Sequence, residues 1–165
     1  MLSLIFGIGF VVLDAPPPAG LDGLGGAAPL TDEQARDQVI DSARHIVKAA
    51  HLDGVNGSTI FLSCTNEHDP PYQAAVYLNF PLPDSNPIKR IRDIASAMVA
   101  AGWQEAPSAG EHLGPKLTRD GVTSTFHQNL DDPKFGTLRM YGQCRIIADH
   151  RNDNPAFTDI ADHLG

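Results

Sequence analysis

The stretch that decides the fold is "STIFLSCTNEHDPPYQAAVYLNF", residues 58–80, which predicts two β-strands joined by a polar connection. Successive side chains of a strand point to opposite faces of a sheet, so a strand with one buried face alternates in polarity. The first strand, residues 59–64, places three side chains on its predicted inward face: Ile60, Leu62 and Cys64. The second strand, residues 72–80, places five on one face: Tyr72, Ala74, Val76, Leu78 and Phe80. The residues between them form the connection of an expected hairpin.

That connection crowds several reactive residue types into a short segment: Cys64, Glu67, His68 and Asp69. A nucleophilic cysteine needs an exposed thiolate beside a positioned histidine, and His68 stands only four residues away in a turn. A zinc site needs about four ligands with recognisable pairing, and the chain has no C-x-x-C or H-E-x-x-H motif. We therefore predict no catalytic residue, no metal ligand and no cofactor here. Glu67, His68 and Asp69 are predicted to form an exposed turn that could face a partner.

Two helices are expected beside the strands. "TDEQ" at Thr31 is a capping box that begins a helix, which "DGVNG" ends near His51. Its apolar stripe recurs at spacings of three and four: Val39, Ala43, Ile46 or Val47, and Ala50. A second helix spans about 87–101, with Gly102 at its left-handed end and this stripe: Ile88, Ile91, Ile94 or Ala95, and Met98.

The last third of the chain is predicted to be mostly β-structure. "WQEA", which Trp103 opens, is a short strand, and Asp120-Gly121 is a two-residue hairpin signal between alternating runs. A final strand, residues 136–147, places five residues on one face: Leu138, Met140, Gly142, Cys144 and Ile146. This order predicts an α+β fold, an antiparallel sheet of about five to six strands with two helices packed on one face.

The N-terminal thirty residues predict a signal or anchor followed by a linker. Leu2–Leu13 is uninterrupted by charge, but as a helix it would extend roughly 18 Å against a hydrocarbon core of about 30 Å. Residues 1–15 are therefore interpreted as an apolar signal or membrane-anchor segment, although a buried N-terminal strand or helix is the alternative. Residues 16–30 are a Pro/Gly/Ala-rich linker, 31–150 an extracytoplasmic domain, and 151–165 a C-terminal tail.

The two cysteines, Cys64 and Cys144, both fall on predicted inward faces. In an oxidising compartment such a pair favours a disulfide, whereas in the cytosol the alternative is two separate buried thiols. The export-like N-terminus favours the first interpretation. The expected location is extracytoplasmic, in the cell envelope, either membrane-anchored through the N-terminal segment or secreted.

Charge and motifs narrow the class of function. The formal net charge is -8, and a protein of this charge repels phosphate backbones, so nucleic-acid binding is disfavoured. The oxygen-rich stretch 149–154 lacks the glycine and distal glutamate of an EF-hand loop and is predicted to be a solvated strand exit. The leading hypothesis is a non-enzymatic module that binds an unknown envelope protein or a small ligand. The alternatives are a secreted or periplasmic hydrolase built from dispersed His and Asp residues, with His45, His127 and His150 as its candidate histidines, and a cytosolic regulatory module with free thiols.

Four pieces of the sequence together resemble the small Lpp-type lipoproteins of actinobacteria and mycobacteria, the group of LppA, LppB, LppJ and LppV. They are residues 58–80, "AAGW" at 100–103, the "DG" hairpin, and "GTLRMYGQCRI" at 136–146. The likeness covers about Thr31–Asp149, and its most specific features are Cys64 and Gly142-x-Cys144.

The resemblance implies an extracytoplasmic α+β domain tethered to the membrane, with the two cysteines joined and no catalytic residues to carry over. The chain departs from the group because lipidation needs a cysteine just after the signal core, and the first cysteine here is Cys64. We therefore expect either a non-lipidated relative or a misplaced start. A role in excluding other phages is conceivable for a phage-borne relative.

Overall fold

The structure, a computed structural model, describes residues 26–66, 68–107, 114–153 and 157–165. Two helices, α1 (Asp32–Ala49) and α2 (Pro87–Ala100), lie on one face of a seven-stranded antiparallel sheet. The strands are β1 (Asn56–Ser63), β2 (Tyr72–Pro81), β3 (Gln104–Glu105), β4 (Lys116–Arg119), β5 (Val122–Gln128), β6 (Phe135–Tyr141) and β7 (Thr158–Asp159), in the spatial order β3-β4-β5-β6-β2-β1-β7. The predicted α+β class is confirmed. The additional strand is β7, whose two residues are too few to show an alternating pattern.

Helix α1 begins where its capping box predicts. The backbone N–H of Gln34 donates to Thr31 Oγ1 at 3.2 Å, and the backbone N–H of Thr31 donates to Gln34 Oε1 at 3.0 Å. These two bonds satisfy donors that a helix N-terminus otherwise leaves without partners. The stripe that α1 buries against the sheet is Ala35, Val39, Ile40, Ala43 and Ile46. The helix therefore holds a fixed position over the sheet along most of its length.

Helix α2 packs through fewer residues than its sequence pattern predicts. Ile91, Ile94 and Met98 are buried, but Ile88 is 48% exposed, so its assignment to the buried stripe was wrong. Ile88 lies in the first turn, directly after Pro87, where the helix has not yet come over the sheet. At the other end Gly102 has a φ of +96°, the left-handed conformation expected of a residue that ends a helix.

The inward face of β1 is the opposite of the predicted one. Thr59 pairs with Val76 and Phe61 pairs with Ala74, and these β2 residues lie under the helices. Thr59 and Phe61 therefore face the helix layer, whereas Ile60 and Leu62, opposite Ala75 and Gln73, lie on the other face. The prediction was wrong because both faces of β1 carry apolar side chains, and only the pairing with β2 decides which one is covered.

The last third folds around the predicted hairpin. Asp120 and Gly121 have φ values of +49° and +80°, as a tight two-residue turn between β4 and β5 requires. On the helix-covered face β5 buries Val122, Phe126 and also Ser124. Strand β6 ends at Tyr141, six residues earlier than predicted, and Cys144 lies beyond it. The chain then continues beside β2, where Ile146 and Tyr72 exchange backbone hydrogen bonds of 2.7 and 3.0 Å.

The C-terminal residues complete the edge of the sheet. Strand β7 pairs with β1 at Ser58 and Thr59, and a short 3-10 helix, Ala161–His163, follows it. Ile160 and Leu164 are buried against the core. The predicted anchor segment 1–15 and most of the linker lie outside the described residues. Among the described helices, neither is long and apolar enough to cross a membrane.

Candidate functional site

The predicted disulfide is present and fixes one end of the sheet. Cys64, just after β1, is bonded to Cys144, just after β6, and their Cα atoms are 6.1 Å apart. Leu30 pairs with Ile146 two residues further on, through a 2.8 Å bond from its backbone N–H to the carbonyl of Arg145. The crosslink therefore joins the turn after β1 to the place where the N-terminal linker enters the domain.

The turn after β1, residues 64–71, is held by its own polar groups. Asn66 Oδ1 accepts the backbone N–H groups of His68 and Asp69 at 2.7 and 2.8 Å, and Asn66 Nδ2 donates to Asp69 Oδ2 at 2.7 Å. The hydroxyl of Ser63 donates to the carbonyl of Asp69, and the Pro70-Pro71 peptide is cis. Of the predicted partner-facing residues, His68 and Asp69 are exposed, and Glu67 lies outside the described residues. The turn is thus held by its own hydrogen bonds and leaves the side chains of His68 and Asp69 at the surface.

Beside this turn lies a cleft of about 820 Å³, which we call the β1 cleft. Its walls come from the start of α1, the end of β1, the start of β2 and the segment 149–153, and the residues used below are Arg36, Phe61, His68, Tyr72, His150 and Arg151. Ligand sites in proteins commonly have about 300–1,000 Å³ and combine apolar walls with a few polar groups. The β1 cleft has both the size and the lining of such a site.

His150 occupies the centre of one wall, and its side chain is 7% exposed. Its Nε2 lies 3.1 Å from Asp32 Oδ1 at the start of α1, and its Nδ1 lies 2.7 Å from Asp153 Oδ2. The ring stacks on Phe61 at a centroid distance of 4.3 Å and meets the Tyr72 ring edge-on at 5.0 Å. His150 therefore ties α1 to the C-terminal segment.

Tyr72 supports His150 from within the fold. Its side chain is almost fully buried, and its hydroxyl donates to the carbonyl of His68 and lies 3.4 Å from Asp149 Oδ1. Burial, and next the negative charge of Asp149, raise the pKa of the Tyr72 phenol above its usual value. The phenol consequently stays protonated and remains a donor that links the turn to the segment 149–153.

Arg36 also lines the cleft. Its guanidinium carbon lies 5.0 Å from the centroid of the Phe61 ring, a cation-π arrangement, and its Nε is buried without a hydrogen-bond partner. Within the described ranges no carboxylate lies within salt-bridge distance of Arg36, although Asp32 stands one turn before it on α1. Asp32 bonds to His150 instead. The other cleft arginine, Arg151, pairs with Asp69 at 3.0 Å.

The other candidate histidines do not form a comparable cluster. His45 Nδ1 accepts a hydrogen bond from the indole N–H of Trp103 at 3.3 Å. Burial lowers the pKa of His45, and burial followed by the Arg139 charge lowers the pKa of His127. In the described part of the chain, neither ring has a carboxylate within hydrogen-bond distance. Of the three histidines considered for a hydrolase, His150 is the one that meets acids in a concave site.

Local sequence patterns do not predict the cluster around His150. Its members come from places far apart in the chain, since 118 residues separate Asp32 from His150. The stretch 149–154 was interpreted as a solvated exit, whereas His150 in it is nearly buried. A weak local signal exists in α1, where Asp32 and Arg36 are four residues apart and share a helix face. No group of three His, Cys, Asp or Glu side chains in the described ranges is placed to hold a metal ion.

Comparisons with known proteins identify the family. The family model described as "LppJ: Putative lipoprotein LppJ" matches residues 31–163. Curated relatives named "Putative lipoprotein LppJ", from two strains of Mycobacterium tuberculosis and from Mycobacterium bovis, are 36% identical over 139 residues. These matches cover 84% of this chain and 73% of each relative. No solved structure matches. The resemblance to Lpp-type lipoproteins is thereby confirmed, and the chain belongs to the LppJ family of lipoproteins.

Proposed function

We propose that the protein is a membrane-tethered, non-enzymatic binding module of the cell envelope and that the β1 cleft is its ligand site. Membership of a lipoprotein family implies an envelope-associated, extracytoplasmic location. A structural disulfide such as Cys64–Cys144 persists in that oxidising environment. The observation that carries the binding role is the β1 cleft itself, a concave site of about 820 Å³ with converging aromatic and charged groups.

The geometry favours binding over hydrolysis. A hydrolytic histidine needs a ring nitrogen available to take a proton from a nucleophile, with its other nitrogen on an acid. In His150 both nitrogens face carboxylates, those of Asp32 and Asp153. Both cysteines are in the disulfide, and among the described residues no hydroxyl is hydrogen-bonded to the His150 ring. The cluster consequently lacks a nucleophile and base pair, and it is better suited to shaping a site than to chemistry in it.

Tethering is proposed from the sequence and from the place where the linker joins the domain. Residues 1–15 supply an apolar segment, and 16–30 supply the spacer. Leu30 and Ala28 are held by backbone and side-chain bonds to Arg145, close to the disulfide. The linker therefore enters near the turn after β1, and Glu67, His68 and Asp69 of that turn are proposed as contacts for a partner at the rim of the cleft. No contact of the described residues bears on phage exclusion, which forms no part of the proposal.

Ligand binding is tested by NMR titration of the ¹⁵N-labelled domain with a set of neutral, acidic and basic aromatic fragments. We expect amide shifts to cluster around the β1 cleft. Gln73→Trp, which fills the cleft from β2, should abolish them, whereas Gln104→Trp on β3, at the far edge of the sheet, should not. Absence of fragment binding in the cleft, or binding that Gln73→Trp leaves unchanged, would contradict the proposal.

Two further measurements test location and the enzyme alternative. Residues 1–30 fused to an export-dependent reporter should give an active, membrane-associated product, and an inactive fusion would remove the support for tethering. A chromogenic ester assay should show no turnover by the wild-type protein. Turnover that is lost in His150→Gln would instead establish the hydrolase alternative.

A further inference from the structure

Resting on the proposed ligand site, we infer that the β1 cleft binds a small organic carboxylate with an apolar body, and that Arg36 holds the carboxylate group. The inference deepens the proposed function because it states the chemical class of the ligand. It depends on the balance of charge in the cleft, on the geometry of Arg36, and on the apolar surfaces beside it.

The charge balance singles out Arg36. Arg151 is compensated by Asp69 at 3.0 Å, and Asp153 is occupied by His150 at 2.7 Å. Among the described charges that line the cleft, Arg36 is the arginine with no carboxylate within salt-bridge distance. A charge in a concave site of reduced dielectric gains more from an opposite charge than an exposed one does. The guanidinium of Arg36 is therefore the place in the cleft that favours an added negative charge, although two carboxylates, Asp32 and Asp153, share the one ring of His150 and the protein as a whole carries -8.

The geometry of Arg36 suits a carboxylate. Its guanidinium lies over the Phe61 ring, which restrains the side chain in one place, while Phe61 itself is stacked on His150. A planar guanidinium can donate two parallel N–H bonds to the two oxygens of a carboxylate. The Nε of Arg36 is buried and has no hydrogen-bond partner. Without a ligand, nothing compensates the cost of removing this donor from water. A bound carboxylate oxygen would supply that partner.

The surroundings define the rest of the ligand. Phe61 gives the cleft an apolar surface next to Arg36, and Ile60 and Leu62 line the cleft from the other face of β1, so an aromatic or aliphatic body can pack there. One uncompensated arginine matches a single negative charge. A phosphate monoester or an anionic lipid surface carries more negative charge than this site balances, and the excess is repelled by a protein of charge -8. A monocarboxylate is therefore favoured over phosphate.

The test uses three probes that share a phenyl body: N-acetylphenylalanine, its primary amide, and phenyl phosphate. NMR titrations of the folded chain should show that the free acid binds about 10- to 100-fold more tightly than the amide, the range of a hydrogen bond to a charged group. Arg36→Gln should remove this preference. Arg92→Gln, an exposed arginine on α2 outside the cleft, removes the same charge and should keep it. Unchanged thermal midpoints would show that both variants fold.

Four outcomes overturn the inference. Equal affinity of acid and amide within the cleft refutes the carboxylate assignment but leaves the binding function standing. Tighter binding of phenyl phosphate, or of vesicles with anionic lipid, refutes the choice of carboxylate over phosphate. Acid binding that persists in Arg36→Gln refutes the role of Arg36. Absence of binding by all the probes refutes the inference, while the wider fragment set with Gln73→Trp decides the proposed function separately.

Discussion

Removing the Cys64–Cys144 crosslink should destabilise the domain by about 4.5 kcal/mol without changing its fold. The bond closes a loop with a sequence separation of 80 residues, and the chain-entropy relation gives about 4.5 kcal/mol for a loop of this length. The segments that carry the two cysteines stay in register without the bond. Tyr72 and Ile146 exchange backbone hydrogen bonds, and the Cys64 N–H donates to the carbonyl of Pro71 at 2.9 Å. The loss therefore comes mainly from a less restricted unfolded chain.

The assay is urea unfolding of wild type and of the double variant Cys64→Ala/Cys144→Ala, with wild type in reductant as the matched control. With a slope of about 2 kcal/mol per molar urea, the midpoint should fall by about 2 M. The thermal midpoint should fall by roughly 15 °C in a domain of this size. Before reduction, thiol counting in denaturant should find no free thiol in the wild type, because both cysteines are bonded.

The reasoning would be refuted by an unfolding free energy of the double variant within about 1 kcal/mol of the oxidised wild type. It would also be refuted by the appearance of two free thiols in the untreated protein. A changed amide spectrum throughout the sheet would show instead that the bond determines the native structure, contrary to the hydrogen bonds that hold both ends.

Three further predictions concern the core and one histidine. Ser124→Ala should stabilise the domain by about 1 kcal/mol in urea unfolding, because its buried hydroxyl has no hydrogen-bond partner; a loss of stability would contradict this. Gly136→Ala should destabilise by about 2 kcal/mol, since a Cβ there would lie 2.4 Å from the Phe80 ring, and unchanged stability would show that the ring can move. Burial lowers the pKa of His45 in the folded protein, so as pH falls the imidazole is protonated in the unfolded chain before it is protonated in the folded one. Stability is therefore lost as pH falls below the ordinary histidine range. The free energy of unfolding, measured by the fluorescence of Trp103, should therefore fall more between pH 7.5 and 5.5 in wild type than in His45→Gln. Equal pH dependence of the two proteins would show that His45 does not contribute to it.

Local patterns predicted those elements whose signals lie within a few residues. The capping box at Thr31 and Gln34 specifies the start of α1 because its two bonds join residues three apart. Asp120-Gly121 specifies the β4–β5 turn because few residue pairs accept two positive φ values. The five inward residues of β2 were predicted correctly from its alternating pattern. Strand β2 lies between two other strands, and the alternation along it leaves one face strongly apolar.

The errors arise where two local patterns are equally good. Strand β1 offers Thr59 and Phe61 on one face and Ile60 and Leu62 on the other, and its own sequence cannot choose between them. Pairing with β2 decides which face of β1 is covered. Val76 and Ala74 lie under the helices, and the β1 residues opposite them lie on the same face. The same choice places Phe61 where His150 can stack on it, so the error in β1 also concealed the cleft.

By itself, the sequence determined the α+β class, the two helices and the cysteine pair, since these depend on local periodicity and composition. The tertiary structure alone decided the covered face of β1, the addition of β7 to the edge of the sheet, and the meeting of Asp32, Arg36 and His150. The physical reason is that a site is a set of distances between residues far apart in the chain. Those distances are fixed only when strand register and helix packing have brought the start of α1 and the segment 149–153 together.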